Sequence, residues 1–365
     1  MDRARFDAIR LARSPHVGPV TFRQLVARFG TASEALNALP DLIRRGGGRG
    51  LALADEGAVA AEIERVSALG AFWLIDGDPD YPALLAETDD APPVLICKGN
   101  PALAARECVA MVGARNASAA ACRFARGMAR DLVSRGLAVV SGLARGIDTA
   151  AHWGALGEGE GDGTDATIGV IASGIDIAYP PENAALQERV AQEGLLIAEQ
   201  SPGAEPKARN FPHRNRIIAG LCRATVIVEA APKSGSLITA RLAADYGREV
   251  LAVPGSPLDP RAQGCNQLIR EGATLVQNAD EVIEAISHID ARAAVAPVPH
   301  IEPAPEEPRE SERMDVVGLL GPVPVPVDEL IRQSGTLPAD VHMALLELEL
   351  AGRLVRHAGG RVSLL

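Results

Sequence analysis

The chain has 365 residues, of which 47% are hydrophobic but only 3% aromatic, and its formal net charge is −11. The length predicts two or three domains. The low aromatic content predicts that their cores consist mainly of Ala, Leu, Val and Ile, as in α/β proteins. The acidic balance argues against a protein coated with nucleic acid over its whole surface, although a local basic groove remains compatible with it.

Cysteine content and hydropathy bear on the compartment. The five cysteines are odd in number and form no CxxC pair, so we interpret them as buried thiols rather than disulfides or zinc ligands. No run approaches the roughly 18 apolar residues of a membrane span, and the N-terminus lacks the apolar core of a signal peptide. We therefore expect a cytoplasmic protein with no metal site and no membrane association.

Residues 1–65 are predicted to form a helical domain, because apolar residues recur there at helical spacing. The turn SPHVGP (14–19) is similar to a helix-hairpin-helix (SAM-like) turn, in which the N–H groups of a GxG segment hold a phosphate. His16 stands in place of the first glycine, which weakens the match. A DNA contact and a role in packing alone both stay open for this domain.

Residues 66–289 alternate aliphatic runs with helical stretches, which is typical of a doubly wound, mostly parallel sheet. We predict a Rossmann-like α/β core for this region. The acidic, glycine-rich segment 157–166 is expected to be a solvent loop. Nine strands are predicted, at 72–75, 94–97, 109–112, 138–140, 167–171, 195–198, 225–228, 250–253 and 274–276.

The C-terminal part is predicted to be a linker followed by a small domain. Residues 290–312 are rich in Pro, Glu and Ala and show no structural period, so they are interpreted as a linker. Residues 313–365 suggest three helices and a hairpin turning at Gly359 and Gly360, which is the winged-helix plan. Because the third helix carries Asp340, Glu347 and Glu349, a protein contact is at least as well supported as a DNA groove.

The predicted site lies where three strands pass into helices through small polar residues, at 113–116, 141–148 and 233–236. Such junctions gather at the carboxyl edge of an open α/β sheet, where ligands bind. Between 206 and 228 there are five Lys or Arg residues and no acid, which favours an anionic ligand. None of the turns matches GxGxxG or GxxxxGK[ST], so we expect no dinucleotide or P-loop cofactor. The predicted phosphate- or DNA-binding residues are Gly113, Arg115, Ser141, Gly142, Arg145, Gly146, Phe211, Arg214, Asn215, Arg216, Lys233, Ser234, Gly235 and Ser236.

Catalytic residues are not expected. Asp148 and His152, at i and i+4, could form an acid–base or metal pair, but a helix cap and a core histidine is the favoured interpretation. Glu229, at a strand end, is interpreted as an anchor for backbone N–H groups. The serines of the junctions lack a nucleophile elbow.

Several long motifs together resemble those of the DNA-processing protein A (DprA, also called Smf) family. They are SGLARGIDTAAH (141–152), SGIDIAYPPEN (173–183), FPHRNRIIAGL (211–221), VEAAPKSGSLITA (228–240), AVPGS (252–256) and GCNQLIREGA (264–273). The resemblance implies a non-enzymatic protein that binds single-stranded DNA, protects incoming strands in natural transformation and competence, and loads the RecA recombinase. It also implies a homodimer formed through the Rossmann-like domain.

The resemblance also implies roles for particular residues. Arg115 matches the arginine of the family's glycine-serine-arginine turn, although Ala114 stands where serine is usual. Residues 214–216 match its RNR segment, and 233–236 match its second phosphate-facing loop. Two alternatives stay open. One is a LOG-type nucleotide phosphoribohydrolase, a class with a glutamate on the helix after the glycine turn; here no carboxylate follows the turn before Asp245. The other is a winged-helix transcription regulator.

Overall fold

A computed structural model of the protein describes residues 1–48, 53–157, 166–292, 316–357 and 360–365. The chain divides into two units, Met1–Ala61 with Pro297–Leu365, and Glu62–Ala296. Most of the predicted loop at 157–166 and of the predicted linker at 290–312 lies outside the described residues.

The first unit begins with three amphipathic helices that contact one another. Asp2 caps the first helix through its side chain, and Thr31 caps the third in the same way, so each supplies an acceptor for an otherwise unpaired N–H group. These helices are α1 (Arg3–Arg13), α2 (Pro19–Phe29) and α3 (Ala32–Arg45). The helical prediction for this region is thus confirmed.

The second unit is built on a sheet that has nine strands among the described residues. All nine predicted strands are present, and most are aliphatic and fully buried because helices cover both faces. They are β1 (Phe72–Ile75), β2 (Val94–Gly99), β3 (Cys108–Gly113), β4 (Ala138–Ser141), β5 (Thr167–Gly174), β6 (Leu195–Gln200), β7 (Ala224–Val228), β8 (Glu249–Ala252) and β9 (Thr274–Leu275).

The strand order explains where a ligand can bind. The order is β1-β2-β6-β5-β4-β3-β7-β8-β9, with β1 and β2 antiparallel to their neighbours and the other pairs parallel. From β3 the chain proceeds through β4 and β5 on one side, and from β7 through β8 and β9 on the other. The topological switch point therefore lies between β3 and β7, and a crevice opens there at the carboxyl ends of the strands.

Helices connect these strands and cover the sheet. Ser118 caps the helix after β3, accepting a hydrogen bond from Ala121 N at 3.0 Å, as its position in the sequence indicates. The helices are α4 (Glu56–Ala68), α5 (Ala83–Ala86), α6 (Ala119–Ser134), α7 (Ile147–Leu156), α8 (Ala184–Glu193), α9 (Asn210–Gly220), α10 (Gly235–Asp245), α11 (Gln263–Arg270) and α12 (Ala279–Arg292).

The C-terminal segment of the first unit has the predicted winged-helix elements. A short helical turn at 316–318 precedes two helices and a small antiparallel sheet in the order β10-β12-β11. The elements are β10 (Val325–Pro326), α13 (Val327–Ser334), α14 (Pro338–Leu350), β11 (Leu354–His357) and β12 (Arg361–Leu364). Among all the helices described, none is both long and apolar enough to cross a bilayer.

Candidate nucleic-acid interface

The crevice at the switch point contains a cavity of about 350 Å³. Strands β3 and β7 pair in parallel up to Gly113 and Val228, so the loops that follow them emerge side by side. The start of α9 forms a third wall, through Phe211, Arg214 and Asn215. The first and third predicted junctions and the basic segment thus meet around one cavity.

The loop after β7, which the sequence predicted as a phosphate site, ends at a capped helix N-terminus beside the first cavity. Ser234 caps α10: its Oγ accepts a hydrogen bond from Ser236 N at 3.3 Å and lies 2.7 Å from Ser236 Oγ. Lys233 is exposed, adopts a left-handed φ of 67°, and forms no ion pair with a described residue. The free N–H groups and the dipole of this eleven-residue helix favour a negative charge in the cavity.

Arg214 is the most unusual residue of the site. It is only 6% exposed, and its buried Nε atom has no hydrogen-bond partner in the described part of the chain. Burial lowers the pKa of Arg214 to about 10, the Asp148 carboxylate opposes that change, and the Arg115 charge adds to it. A guanidinium stays charged at this pKa, so a buried cation without a hydrogen-bonded counter-ion lies at the cavity wall.

The carboxylate of the buried Asp148 accepts hydrogen bonds from backbone N–H groups of the second predicted junction, 141–148. Its Oδ2 accepts hydrogen bonds from Gly142 N at 3.1 Å and Ala144 N at 3.4 Å. Burial raises the pKa of Asp148, while Arg214 and these backbone hydrogen bonds act in the opposite direction. The N–H group of Gly142, which was expected to hold a phosphate, and that of Ala144 are therefore both taken by a carboxylate of the chain itself.

Close to this turn, His152 is fully buried, and its Nδ1 lies 2.7 Å from Thr167 Oγ1. Burial lowers the pKa of His152 to about 3, so the imidazole is neutral near pH 7. No group of three or more His, Cys, Asp or Glu residues in the described ranges is arranged to hold a metal ion. His152 is thus the hydrogen-bonded core histidine that the sequence favoured. The helix-cap interpretation of Asp148 is wrong, because α7 begins after Gly146 without a side-chain cap and Asp148 accepts hydrogen bonds from the loop before the helix.

A second cavity, also of about 350 Å³, adjoins the first and is lined by planar side chains. The Arg115 guanidinium lies 5.5 Å from the centroid of the Phe211 ring, and the Tyr179 ring lies 5.6 Å from it at an interplanar angle of 59°. Tyr179 is 43% exposed although it follows a buried strand. In the sequence analysis Tyr179 was given no role beyond its place in the motif 173–183; its signal was an aromatic beside Pro180 in a chain with few aromatics.

Two of the predicted arginines already have counter-ions. Arg216 is buried, forms an ion pair with Glu199 and donates a hydrogen bond to the Asp90 carbonyl. Arg145 is exposed and forms an ion pair with Glu182, a contact that raises the pKa of the arginine. Neither acid was identified as part of the site from the sequence.

Three of the fourteen predicted residues lie outside both cavities. Ser141 is fully buried and donates a hydrogen bond to the Met111 carbonyl at 2.6 Å, Gly146 packs against the Ala114 carbonyl, and Arg216 faces Glu199. The residues that line one or both cavities are Gly113, Arg115, Gly142, Arg145, Phe211, Arg214, Asn215, Lys233, Ser234, Gly235 and Ser236.

Left-handed backbone at non-glycine residues marks this edge of the sheet. Leu143 follows β4, and Glu229 and Lys233 both follow β7; their φ values are 56°, 50° and 67°. Glu229 holds its junction in place by accepting hydrogen bonds from Ser118 N at 2.8 Å and Ser118 Oγ at 2.6 Å. Such conformations cost energy and persist where surrounding contacts require them, as at binding sites.

Comparisons with known families agree with this architecture. The model of the family described as DNA recombination-mediator protein A matches residues 72–287. Models of a DprA-like N-terminal HHH domain and a DprA winged helix domain match residues 2–64 and 300–360.

Individual relatives extend the agreement. Protein Smf of Synechocystis is 34% identical over 321 residues, covering 79% of both chains. The DNA processing protein DprA of Streptococcus pneumoniae is 45% identical over 206 residues, covering 56% of this chain and 71% of the relative.

Two solved structures are similar. The X-ray structure of DprA from Streptococcus pneumoniae has a TM-score of 0.66 at 34% identity, covering 78% of this chain and 98% of that one. The Helicobacter pylori DprA, whose structure was described for its single-stranded DNA binding mode, has a TM-score of 0.53 at 28% identity, covering 60% and 96%. The chain therefore belongs to the DNA recombination-mediator protein A family, whose members are called DprA or Smf.

Proposed function

We propose that the chain binds single-stranded DNA across the two adjoining cavities and acts in recombination as a mediator rather than as an enzyme. The observation that carries the proposal is Arg214, a buried guanidinium whose Nε lacks a partner in the described structure. A desolvated charge is costly unless it is paired. The Asp148 carboxylate offsets part of this cost through its charge, and a DNA phosphate in the cavity would supply the missing hydrogen-bonded partner. The Helicobacter pylori relative is described as binding single-stranded DNA.

The two cavities suit different parts of a nucleotide. Arg214, Lys233 and the N-terminus of α10 surround the first, which fits a phosphate. Phe211, Tyr179 and the Arg115 guanidinium surround the second, where aromatic and planar cationic faces suit a stacked base. A single DNA strand that crosses both cavities would place a phosphate in the first cavity and a base in the second.

This division supports a preference for single strands. A base can stack on Phe211 or Tyr179 only if its face is free, and in a duplex both faces of each base are covered by neighbours. Phosphate contacts alone would not distinguish the two forms. The aromatic cavity is therefore the part of the site that supplies the preference.

The decisive experiment measures binding of single-stranded and duplex oligonucleotides of equal length by fluorescence anisotropy. We expect tight binding of the single strand, weak binding of the duplex, and loss of single-strand binding in Arg214→Met. A wild-type protein that prefers duplex, or an Arg214→Met variant that binds as wild type, contradicts the proposal.

We further propose that the protein loads RecA without hydrolysing a nucleotide itself, in the cytoplasm. RecA loading is supported by membership of the family. The cytoplasm is supported by the five cysteines, which are all free, as is usual in a reducing compartment. The assay is the ATPase of the cognate RecA on strands coated with single-strand-binding protein. We expect stimulation by this protein and none by Arg214→Met. An intrinsic nucleotidase that copurifies with well-folded protein contradicts the non-enzymatic assignment.

A homodimer through the Rossmann-like domain completes the proposal. The β9 edge of the sheet supports it, because β9 has two residues and exposes Leu275, and a groove of about 670 Å³ between α10 and α11 includes Leu237 and Leu268. Sedimentation equilibrium should give a dimer for the wild type and a monomer for Leu275→Asp. A wild-type monomer at micromolar concentration contradicts this part.

A further inference from the structure

The third helix of the winged-helix domain, α14, is apolar on two sides rather than one. One stripe lies in the core of that domain and comprises Val341, Ala344, Leu345 and Leu348. A second stripe recurs at i, i+3 and i+7, with each residue at most 6% exposed, and comprises Met343, Leu346 and Leu350. A helix with apolar residues all round must be covered on both sides.

The C-terminal end of α3 covers the second side. Helices α3 and α14 contact each other, and a Cβ added to Gly46 would overlap the Glu347 carbonyl oxygen and come within 2.9 Å of Ala351 Cβ. Arg353 Nη1 donates a hydrogen bond to the Gly46 carbonyl at 3.1 Å. The two backbones are thus in direct contact, at a distance that only a residue without a side chain permits.

The turn between α1 and α2 lies against the same region. His16 adopts a left-handed φ of 62°, and a Cβ added to Gly352 would come within 3.0 Å of the His16 ring. Val17, next in the turn, is 8% exposed. This is the turn in which a helix-hairpin-helix would hold a phosphate, and Gly352, which faces it, lies two residues after the end of α14.

We propose that the winged-helix domain of this chain is an intrachain docking module whose partner is its own N-terminal helical domain. The second apolar stripe of α14 binds the end of α3, and the docked pair covers both surfaces with which these domains would contact duplex DNA. A third helix held against α3 cannot enter a major groove, which is about 12 Å wide and accommodates a helix only when one side of it is free.

The charges of α14 agree with a protein partner. The helix contains Asp340, Glu347 and Glu349 and no Lys or Arg, whereas a groove-reading helix needs cations to approach phosphates. The inference does not depend on the single-stranded DNA site, because it concerns only residues of the first unit. Its failure would leave the assignment of the two cavities intact.

The test is hydrogen–deuterium exchange of the full-length chain carrying a wedge at the contact. Gly46 has an ordinary φ of −70°, so Gly46→Leu introduces no backbone strain of its own and acts by pushing the Glu347 carbonyl and Ala351 away. Gly318→Leu is the matched control, because a Cβ at Gly318 meets nothing within 4 Å. Arg353→Ala removes the hydrogen bond to Gly46 and the contact of the arginine side chain with Gly47.

For Gly46→Leu we expect amide exchange in 338–350 and in the end of α3 to accelerate together, by about tenfold or more. Arg353→Ala should accelerate both by a smaller factor, and Gly318→Leu should leave both unchanged. Single-stranded DNA binding should stay the same in all three. Unchanged exchange in both Gly46→Leu and Arg353→Ala overturns the proposal.

Two further outcomes would also overturn it. Protection of 338–350 that falls on tenfold dilution of the wild type would mean that docking occurs between chains rather than within one. Additional protection of 338–350 on adding a duplex oligonucleotide would mean that α14 reads DNA. We expect neither dilution nor duplex to alter the exchange of this helix.

Discussion

The guanidinium of Arg214 lies directly against the backbone of Gly142, so that a Cβ on Gly142 would overlap Arg214 Nη1 and Cζ and come within 2.7 Å of Nη2. The two residues are far apart in sequence but share the wall of the second cavity. Gly142 is thus needed for the space it leaves, since its N–H group already donates to Asp148.

Gly142→Ala should therefore weaken single-stranded DNA binding by about tenfold or more, because the displaced arginine loses a charge-assisted contact of about 1.5–3 kcal/mol. Fluorescence anisotropy measures the change. Gly235→Ala is the control, because a Cβ there meets nothing within 4 Å although the residue lines the first cavity. Equal effects of the two alanines would show that Gly142 has no special relation to Arg214.

Arg214 and Arg216 should respond in opposite ways to replacement by methionine. Arg214→Met should abolish tight binding and flatten the log–log salt dependence by about 0.7. Its loss of stability should be smaller than that of Arg216→Met, because Arg214 Nε has no hydrogen-bond partner in the described structure and Arg214 interacts with Asp148 through charge alone. Arg216→Met should lower the free energy of unfolding by about 3 kcal/mol, because Glu199 loses its partner. Urea denaturation and anisotropy titrations on both variants check this; similar losses of stability would contradict it.

The aromatic pair should supply affinity without charge. Replacing Tyr179 or Phe211 by leucine should cost about 1–3 kcal/mol of single-strand binding, the value of one stacked base. The salt slope should stay as in the wild type, because no phosphate contact is removed. Duplex binding should not change. A flattened salt slope in either variant would contradict this prediction, because it would show that the ring positions a cationic side chain for a phosphate contact rather than stacking on a base.

Glu182 should restrain DNA binding by holding Arg145. Glu182→Gln removes the negative partner from an exposed ion pair, so we expect severalfold tighter binding and a steeper salt dependence. For the same reason Arg145→Ala should cost less affinity than Arg115→Ala, since Arg115 lies against the Phe211 ring and forms no ion pair within the described part of the chain. Titrations with single-stranded DNA at two salt concentrations measure both the affinity and its salt dependence. Weaker binding by Glu182→Gln than by the wild type would contradict the prediction.

His152 should make stability fall in acid. Its pKa is about 3 in the folded chain, below the ordinary value of 6.5, so between these two values the unfolded chain binds the extra proton. The contribution of His152 to the free energy of unfolding is therefore complete above about pH 6.5. It declines by about 1.4 kcal/mol for each unit of pH between that value and about pH 3. Urea denaturation at pH 7 and pH 5 should show a smaller decline for His152→Gln than for wild type. Asp148 is present in both, so the difference isolates His152.

Much of the fold follows from local features of the sequence. The nine strands were predicted correctly because each is a short aliphatic run, and such runs are stable only when buried between helices. The three junctions were predicted for the same kind of reason, since a strand that ends in Gly, Ser and Ala before a helix forms a turn whichever neighbours it meets. The serine caps at 118 and 234 are likewise local hydrogen bonds.

The tertiary structure decided which of the predicted cations is available. Arg214 and Arg216 are two positions apart on α9 and so point about 200° apart around the helix, one toward the cavities and the other toward Glu199. The acids that neutralise Arg216 and Arg145 lie 17 and 37 residues away in sequence, which no local pattern connects. Charge pairing depends on distance in space through Coulomb's law, so it emerges only when the strands are assembled.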